Sequence, residues 1–204
     1  MIAVDRGADG LWTLTIDRPD KANALDGPML EALADAAEEA TQGARAVVLT
    51  GNGKVFSAGM DFEAAKSGLS KSPVWERLSG KLAALPCLTI CALNGTLAGG
   101  AMGMALACDI RIAVPTAKFF YPVMKHGFLP QPSDPGRLTA LIGPSRARLI
   151  LLGGQRLDAE QALACGLIDR IAEPDALLAT AREIAADFIA ADPAFAATIK
   201  GMCR

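Results

Sequence analysis

The chain has 204 residues, 51% of them hydrophobic, enough to bury one sizeable core without requiring two domains. Lysine and arginine total 20 against 22 acidic residues, and with no basic run in the sequence nucleic acid is not an expected partner. No apolar stretch approaches the ~20 residues that span a bilayer, and Met1-Ile-Ala-Val-Asp5 lacks the charged-then-apolar pattern of a secretion leader, so no membrane association and a cytoplasmic location are expected.

Leu11–Ile16 alternates large apolar side chains with threonine, as a strand buried on one face does. Asp26 or Gly27 is expected to cap a helix with Pro28 in its first turn. Met29, Leu30, Leu33, Ala36, Ala37 and Ala40 then recur at helical spacing, and Gly43 stops the helix. Ala46–Thr50 reads as a buried strand that exits into Phe56-Ser-Ala-Gly-Met-Asp61. Residues 62–72 read as a surface loop or a frayed helix, and Val74–Leu85 as a helix.

A second buried strand, Leu88–Leu93, exits through Asn94-Gly-Thr-Leu-Ala-Gly-Gly100 into a short apolar helix ending at Cys108. Farther on, Asp158 with Gln161 forms a capping box. Asp175 opens a helix whose Leu177, Ala181, Ile184 and Phe188 form one stripe, and Pro193 begins a last helix. Strands alternating with helices argue for an α/β fold.

The two glycine-containing exits carry the chemistry. The first backbone N–H groups of a helix have no intrahelical partner and sit at the positive end of its dipole. Two such exits side by side make a pair of donors for a developing negative charge, the geometry of an oxyanion hole. Five cysteines with no C-x-x-C spacing read as inert core thiols, and a single histidine, His126, gives no cluster for a metal. There is no G-x-S-x-G elbow and no serine–histidine pairing to propose.

Five ordered blocks carry a family resemblance. They are Arg18-Pro with Asn23-Ala-Leu25, Val55–Asp61, Asn94-Gly with Gly99-Gly100 and Cys108-Asp109, Gly127-Phe-Leu-Pro130, and Arg156–Asp169. In this order they resemble the crotonase (enoyl-CoA hydratase/isomerase) superfamily, from about Leu11 to the C-terminus. The resemblance implies a crotonase/ClpP-like right-handed spiral of β-β-α units in a single domain, 1–204. Its core is expected over about 1–172, with the C-terminal helices, 173–204, shortened relative to the family.

The resemblance also implies binding of an acyl-CoA thioester whose carbonyl is polarised by the N–H groups of Met60 and Gly100. Coenzyme A is then a substrate or ligand, with no tightly bound cofactor and no metal. Its path is expected to run past Lys21, Ala22, Ala24 and Ala58, and past Met60, Asp61 and Gly100. Lys21 is either a phosphate partner or a surface lysine, and Asp61 is expected to cap or brace its loop. A homo-oligomer, trimer or hexamer, is the assembly implied.

Enoyl-CoA hydratases place glutamates at the positions of Gly103 and Val123 in this chain, and neither residue here transfers a proton. Ordinary two-glutamate hydration is therefore disfavoured, leaving isomerase, decarboxylase or thioesterase-type reactions; the alternative is a non-catalytic acyl-CoA-binding or assembly protein. The remaining polar candidates for acid or base are Asp134, His126 and Gln131. Some dienoyl-CoA isomerases carry an aspartate near the position of Gln131. For Asp134 the competing expectation is a helix cap within a proline-framed turn, and for His126 a hydrogen-bonded structural residue.

Overall fold

The computed structural model describes residues 1–203. The chain opens with a hairpin, β1 (Ile2–Arg6) antiparallel to β2 (Leu11–Ile16). Helix α1 (Gly27–Gly43) follows, with Asp26 accepting from the Met29 N–H at 2.9 Å and Pro28 in the first turn, where no amide donor is needed.

Three β-β-α passages then succeed one another. The first is β3 (Ala46–Gly51) and β4 (Val55–Ser57), then α2 (Phe62–Lys66) and α3 (Val74–Ala84). Next come β5 (Leu88–Leu93) and β6 (Thr96–Ala98), then a 3₁₀ turn over Gly99–Ala101 and α4 (Met102–Ala107). The third is β7 (Ile110–Ala113) and β8 (Lys118–Phe120), then α5 (Val123–His126) and α6 (Asp134–Leu151). Two-residue strands β9 (Leu157–Asp158) and β10 (Arg170–Ile171) flank α7 (Ala159–Cys165), and α8 (Leu177–Ala190) and α9 (Pro193–Met202) complete the order.

The leading strand of each passage joins a six-stranded sheet, β1-β2-β3-β5-β7-β10, parallel from β2 onward. The second strand of each joins a four-stranded sheet, β4-β6-β8-β9, in which only β9 runs antiparallel. This is the expected α/β spiral of β-β-α units. Parallel strands covered on both faces need continuous apolar runs, and β3 and β5 supply them, each buried over five of six residues.

Two buried cations tie later elements to this core. The Arg111 guanidinium donates to Leu167 O at 3.0 Å and Cys108 O at 2.7 Å, joining the end of α4 to the approach to β10. From α9, Lys200 Nζ reaches Cys87 O at 2.7 Å and Asp109 Oδ2 at 2.6 Å.

The capping box at Asp158 and Gln161 is present in both directions. Residues 62–72 hold more order than a loop: α2 is followed by a 3₁₀ turn, Leu69–Lys71. Helix α6 is interrupted at Gly143, whose φ of 77° lies before Pro144, so two helical segments meet there at a kink. Cys87, Cys91 and Cys108 are buried, whereas Cys165 is half-buried and Cys203 exposed, so the core-thiol expectation holds for the first three alone. Among the described residues no helix is long and apolar enough to cross a membrane.

Candidate functional site

The two glycine-containing exits meet. Gly59, at φ 92°, follows β4, and Gly99, at φ 58°, follows β6. A Cβ placed on Gly59 would fall 2.8 Å from the Ala98 carbonyl oxygen, so any side chain there would drive the exits apart. β4 and β6 are neighbours in the smaller sheet, which sets this approach.

The peptide directions follow from the next layer. Leu25 N–H donates to Gly59 O, and Asp61 N–H donates to Leu25 O, both at 2.8 Å. In a parallel bridge the residue between those two bonds turns its own N–H to the opposite side, so the Met60 N–H faces away from Leu25. Gly100 sits in the first turn of the 3₁₀ segment, where N–H groups lack intrahelical acceptors. Met60 and Gly100 line one cavity of about 220 Å³.

The loop of Lys21–Leu25 is held against this wall by Asn23. This fully buried residue, at φ 54°, donates to Val55 O at 2.6 Å and Asn52 O at 2.9 Å. Its own carbonyl accepts from Ser57 Oγ at 2.8 Å, and Ala58 N–H donates to Ala22 O at 2.9 Å. Ala22, Ala24, Ala58 and Met60 are thereby brought together. Asp61 does what its position suggests: it caps α2 through Glu63 and Ala64 and pairs with Arg18 at 2.8 Å. The α2 amides and the Arg18 guanidinium hold its carboxyl below its ordinary pKa. Lys21 is exposed at the end of a 3₁₀ turn and does not line the cavity.

At the inner wall the polar groups sit where local sequence did not place them. Val123 is a buried, apolar part of the lining. Gly103, one turn along from Gly100, faces Asp134: a Cβ on Gly103 would lie 2.6 Å from Asp134 Oδ1. Asp134 is only 1% exposed and caps nothing with its side chain. The reason is that Glu76 of α3 takes the cap role at this helix end, its Oε1 accepting from Ser133 N at 3.1 Å and Oγ at 2.9 Å. Asp134 turns inward instead and accepts from the Tyr121 hydroxyl at 2.9 Å, while its Oδ1 has no hydrogen-bond partner.

Burial pushes the Asp134 carboxyl up to about 7; Tyr121 acts to lower it, Glu76 to raise it and Arg137 to lower it. Burial and the neighbouring carboxylate likewise push the Tyr121 phenol well above its ordinary value. Tyr121 lines the cavity, and the Gln131 N–H donates to its oxygen at 3.3 Å. The Gln131 side chain also lines the cavity and donates to Ser70 O at 3.3 Å.

His126 lies exposed at the cavity rim, and its ring makes no hydrogen bond among the described residues, so the structural-histidine expectation is not met. Around it Phe62, Phe128 and Leu129 are 75%, 42% and 88% exposed, giving the mouth an apolar border. Sequence reasoning missed Trp75, whose ring covers Gly100 and whose indole N–H donates to Leu69 O at 2.9 Å. Its only sequence signal was a place on the apolar stripe of α3. The arrangement can offer two main-chain donors to an oxygen, with a phenol and a carboxyl behind the facing wall.

Residues 6–204 match the family model described as enoyl-CoA hydratase/isomerase. The chain is 35% identical over 179 residues to the probable enoyl-CoA hydratase echA6 of Mycobacterium tuberculosis, covering 87% of this chain and 74% of that protein. It is 34% identical over 197 residues to the 1,2-epoxyphenylacetyl-CoA isomerase of Escherichia coli, covering 91% and 75% of the two. Its fold is similar to a crystal structure of an enoyl-CoA hydratase/isomerase from Pseudoalteromonas atlantica, with a TM-score of 0.92, 30% identity and coverage of 99% and 82%.

Proposed function

The chain belongs to the enoyl-CoA hydratase/isomerase family, and from that premise we propose that it binds an acyl-CoA thioester and stabilises its enolate with the N–H groups of Met60 and Gly100. The observation that supports this reading is that Met60 and Gly100 line one cavity, with Gly59 so close to Ala98 that a Cβ there would fall 2.8 Å from the Ala98 oxygen. Donors fixed before the reaction are worth roughly 10²–10³ each in rate where an oxyanion develops. Coenzyme A is ligand or substrate here and not a resident cofactor. Lys21, Ala22, Ala24, Ala58 and Asp61 border its path. Residues 1–204 act as one crotonase-like domain in a cytoplasmic homo-oligomer, trimer or hexamer, whose size sedimentation measures.

Hydration needs a base for water and an acid for the α-carbon, each contributing roughly 10²–10⁴. With Gly103 and Val123 at the glutamate positions, a reaction that proceeds from the enolate without that pair is favoured: isomerisation, decarboxylation or thioester hydrolysis. Departure of carbon dioxide itself generates the enolate and requires no base. The same two residues favour a second reading, a non-catalytic acyl-CoA-binding protein.

Titration with acetoacetyl-CoA, following enolate absorbance and binding heat together, tests the first reading. Binding with a raised enolate signal is the expected result. Binding without it leaves the second reading, and no binding refutes both.

A further inference from the structure

We propose that Tyr121 and Asp134 form a proton relay that delivers a proton from the cavity wall to the α-carbon of the bound enolate, replacing the absent glutamates with an acid drawn from α6. This rests on the acyl-CoA reading above. Three observations carry it: the 2.9 Å bond between the Tyr121 hydroxyl and Asp134 Oδ2, the place of Tyr121 on the cavity lining, and the buried, unpartnered Asp134 Oδ1 against Gly103. The carboxyl therefore stands one helical turn from Gly100, within the space that a side chain on residue 103 would take.

The hydrogen-bond inventory supports a relay. A phenol oxygen can accept two bonds and donate one. With Asp134 ionised, the Tyr121 O–H points to Oδ2. With Asp134 protonated, its O–H donates to the Tyr121 oxygen, which also receives the Gln131 N–H, and the Tyr121 proton is free to turn into the cavity. Asp134 is faced by Tyr121 from the segment after β8, by Glu76 from α3, by Arg137 from its own helix, and by uncharged Gly103 from α4. Its pKa near 7 keeps both forms accessible in neutral solution.

In the step itself the Tyr121 O–H bond breaks as the Cα–H bond forms, and the enolate collapses to the thioester carbonyl. The Asp134 proton passes to the Tyr121 oxygen, leaving a carboxylate that regains a proton from water. Run backward, the relay removes a Cα proton and requires Asp134 ionised. Tyr121 is the catalytic residue, and Asp134 acts through it.

Tyr121 is the chain's only tyrosine, so a tyrosine label at the ring carbon bearing the hydroxyl reports on this group alone. Its NMR signal in the free protein should titrate with a midpoint near 7 and stop doing so in Asp134→Asn. With butyryl-CoA in heavy water, wild-type protein should exchange Cα hydrogens at a rate that rises with pH and levels above about 7. Tyr121→Phe and Asp134→Asn should each lower that rate by about 10²-fold or more, while both keep the circular dichroism spectrum of the wild type. A titration absent from wild type or persisting in Asp134→Asn overturns the coupled pair. Exchange that survives Tyr121→Phe, or is absent from a wild type that forms the enolate signal, overturns the relay. Loss of the enolate signal in wild type refutes the acyl-CoA reading and with it delivery to an enolate, whereas the tyrosine titration still decides the pair.

Discussion

Asp134 and Gly103 exclude one another's side chains: a Cβ on Gly103 falls 2.6 Å from Asp134 Oδ1 and 3.2 Å from Oδ2. Gly103→Ala should therefore cost about 1–3 kcal/mol despite alanine's better helix propensity. In an Asp134→Ala background the same change should be neutral or stabilising. Denaturant unfolding of the four proteins gives the coupling directly, and additive effects would show that the two positions are independent.

Stability should fall as pH rises from about 4 to 7. The Asp134 carboxyl holds a proton to about 7 in the folded chain, against an ordinary value of 3.8. Between those values the folded state binds the extra proton, so its advantage is lost as pH rises through the folded pKa. The full shift corresponds to roughly 4 kcal/mol. Asp134→Asn keeps the shape and removes the proton, so its stability relative to wild type should be greater at pH 8 than at pH 5. Equal differences at the two pH values would refute this.

Gly100→Ala should disturb the proposed oxyanion donors and Trp75 together. The added Cβ would lie 3.2 Å from the Trp75 ring, whose indole N–H is fixed on Leu69 O. The expected result is a shift in tryptophan fluorescence, read in a Trp12→Phe background, with about tenfold weaker acetoacetyl-CoA binding, near 1.4 kcal/mol. Unchanged binding alongside a shifted spectrum would separate the ring from the site.

Lys200→Met should loosen α9 from the core. It removes the donor to Cys87 O and the partner of Asp109, whose Oδ2 also accepts from Thr89 N and Oγ1, both at 2.8 Å. Because Asp109 retains those bonds and is partly exposed, a loss of about 2 kcal/mol is expected. Hydrogen exchange should quicken over Pro193–Met202 while β3 and β5 stay protected. Uniform acceleration would mean that the tie supports the whole fold.

The scaffold was legible because its signals are local. The apolar runs of β3 and β5, the Asp26 cap and the Asp158–Gln161 box each declare themselves within a few residues. The glycines at 59 and 99 are of the same kind, since main chain can approach main chain there only without side chains. The inner wall was not legible. Asp134 stands between prolines at a helix start, where an aspartate ordinarily caps, and it is released from that duty by Glu76, remote in sequence. Position 103 read alone shows only a glycine; the space beside it holds the Asp134 carboxyl, brought there by another helix. Tyr121 offered only its nearness to the Val123 position.

The meeting of Gly59 with Ala98 and Gly99 has a consequence for how such a molecule diversifies. Two loops that touch through peptide atoms keep their spacing whatever residues surround them, and Met60 contributes a group that every amino acid except proline possesses. On the proposed reading the seat for a carbonyl is made of main chain, while the side chains of Phe62, Val123 and Leu129 only line the space around it. If the proposed acyl-CoA reading holds, side chains in the walls can change to suit another acyl group while the main-chain donors stay in place.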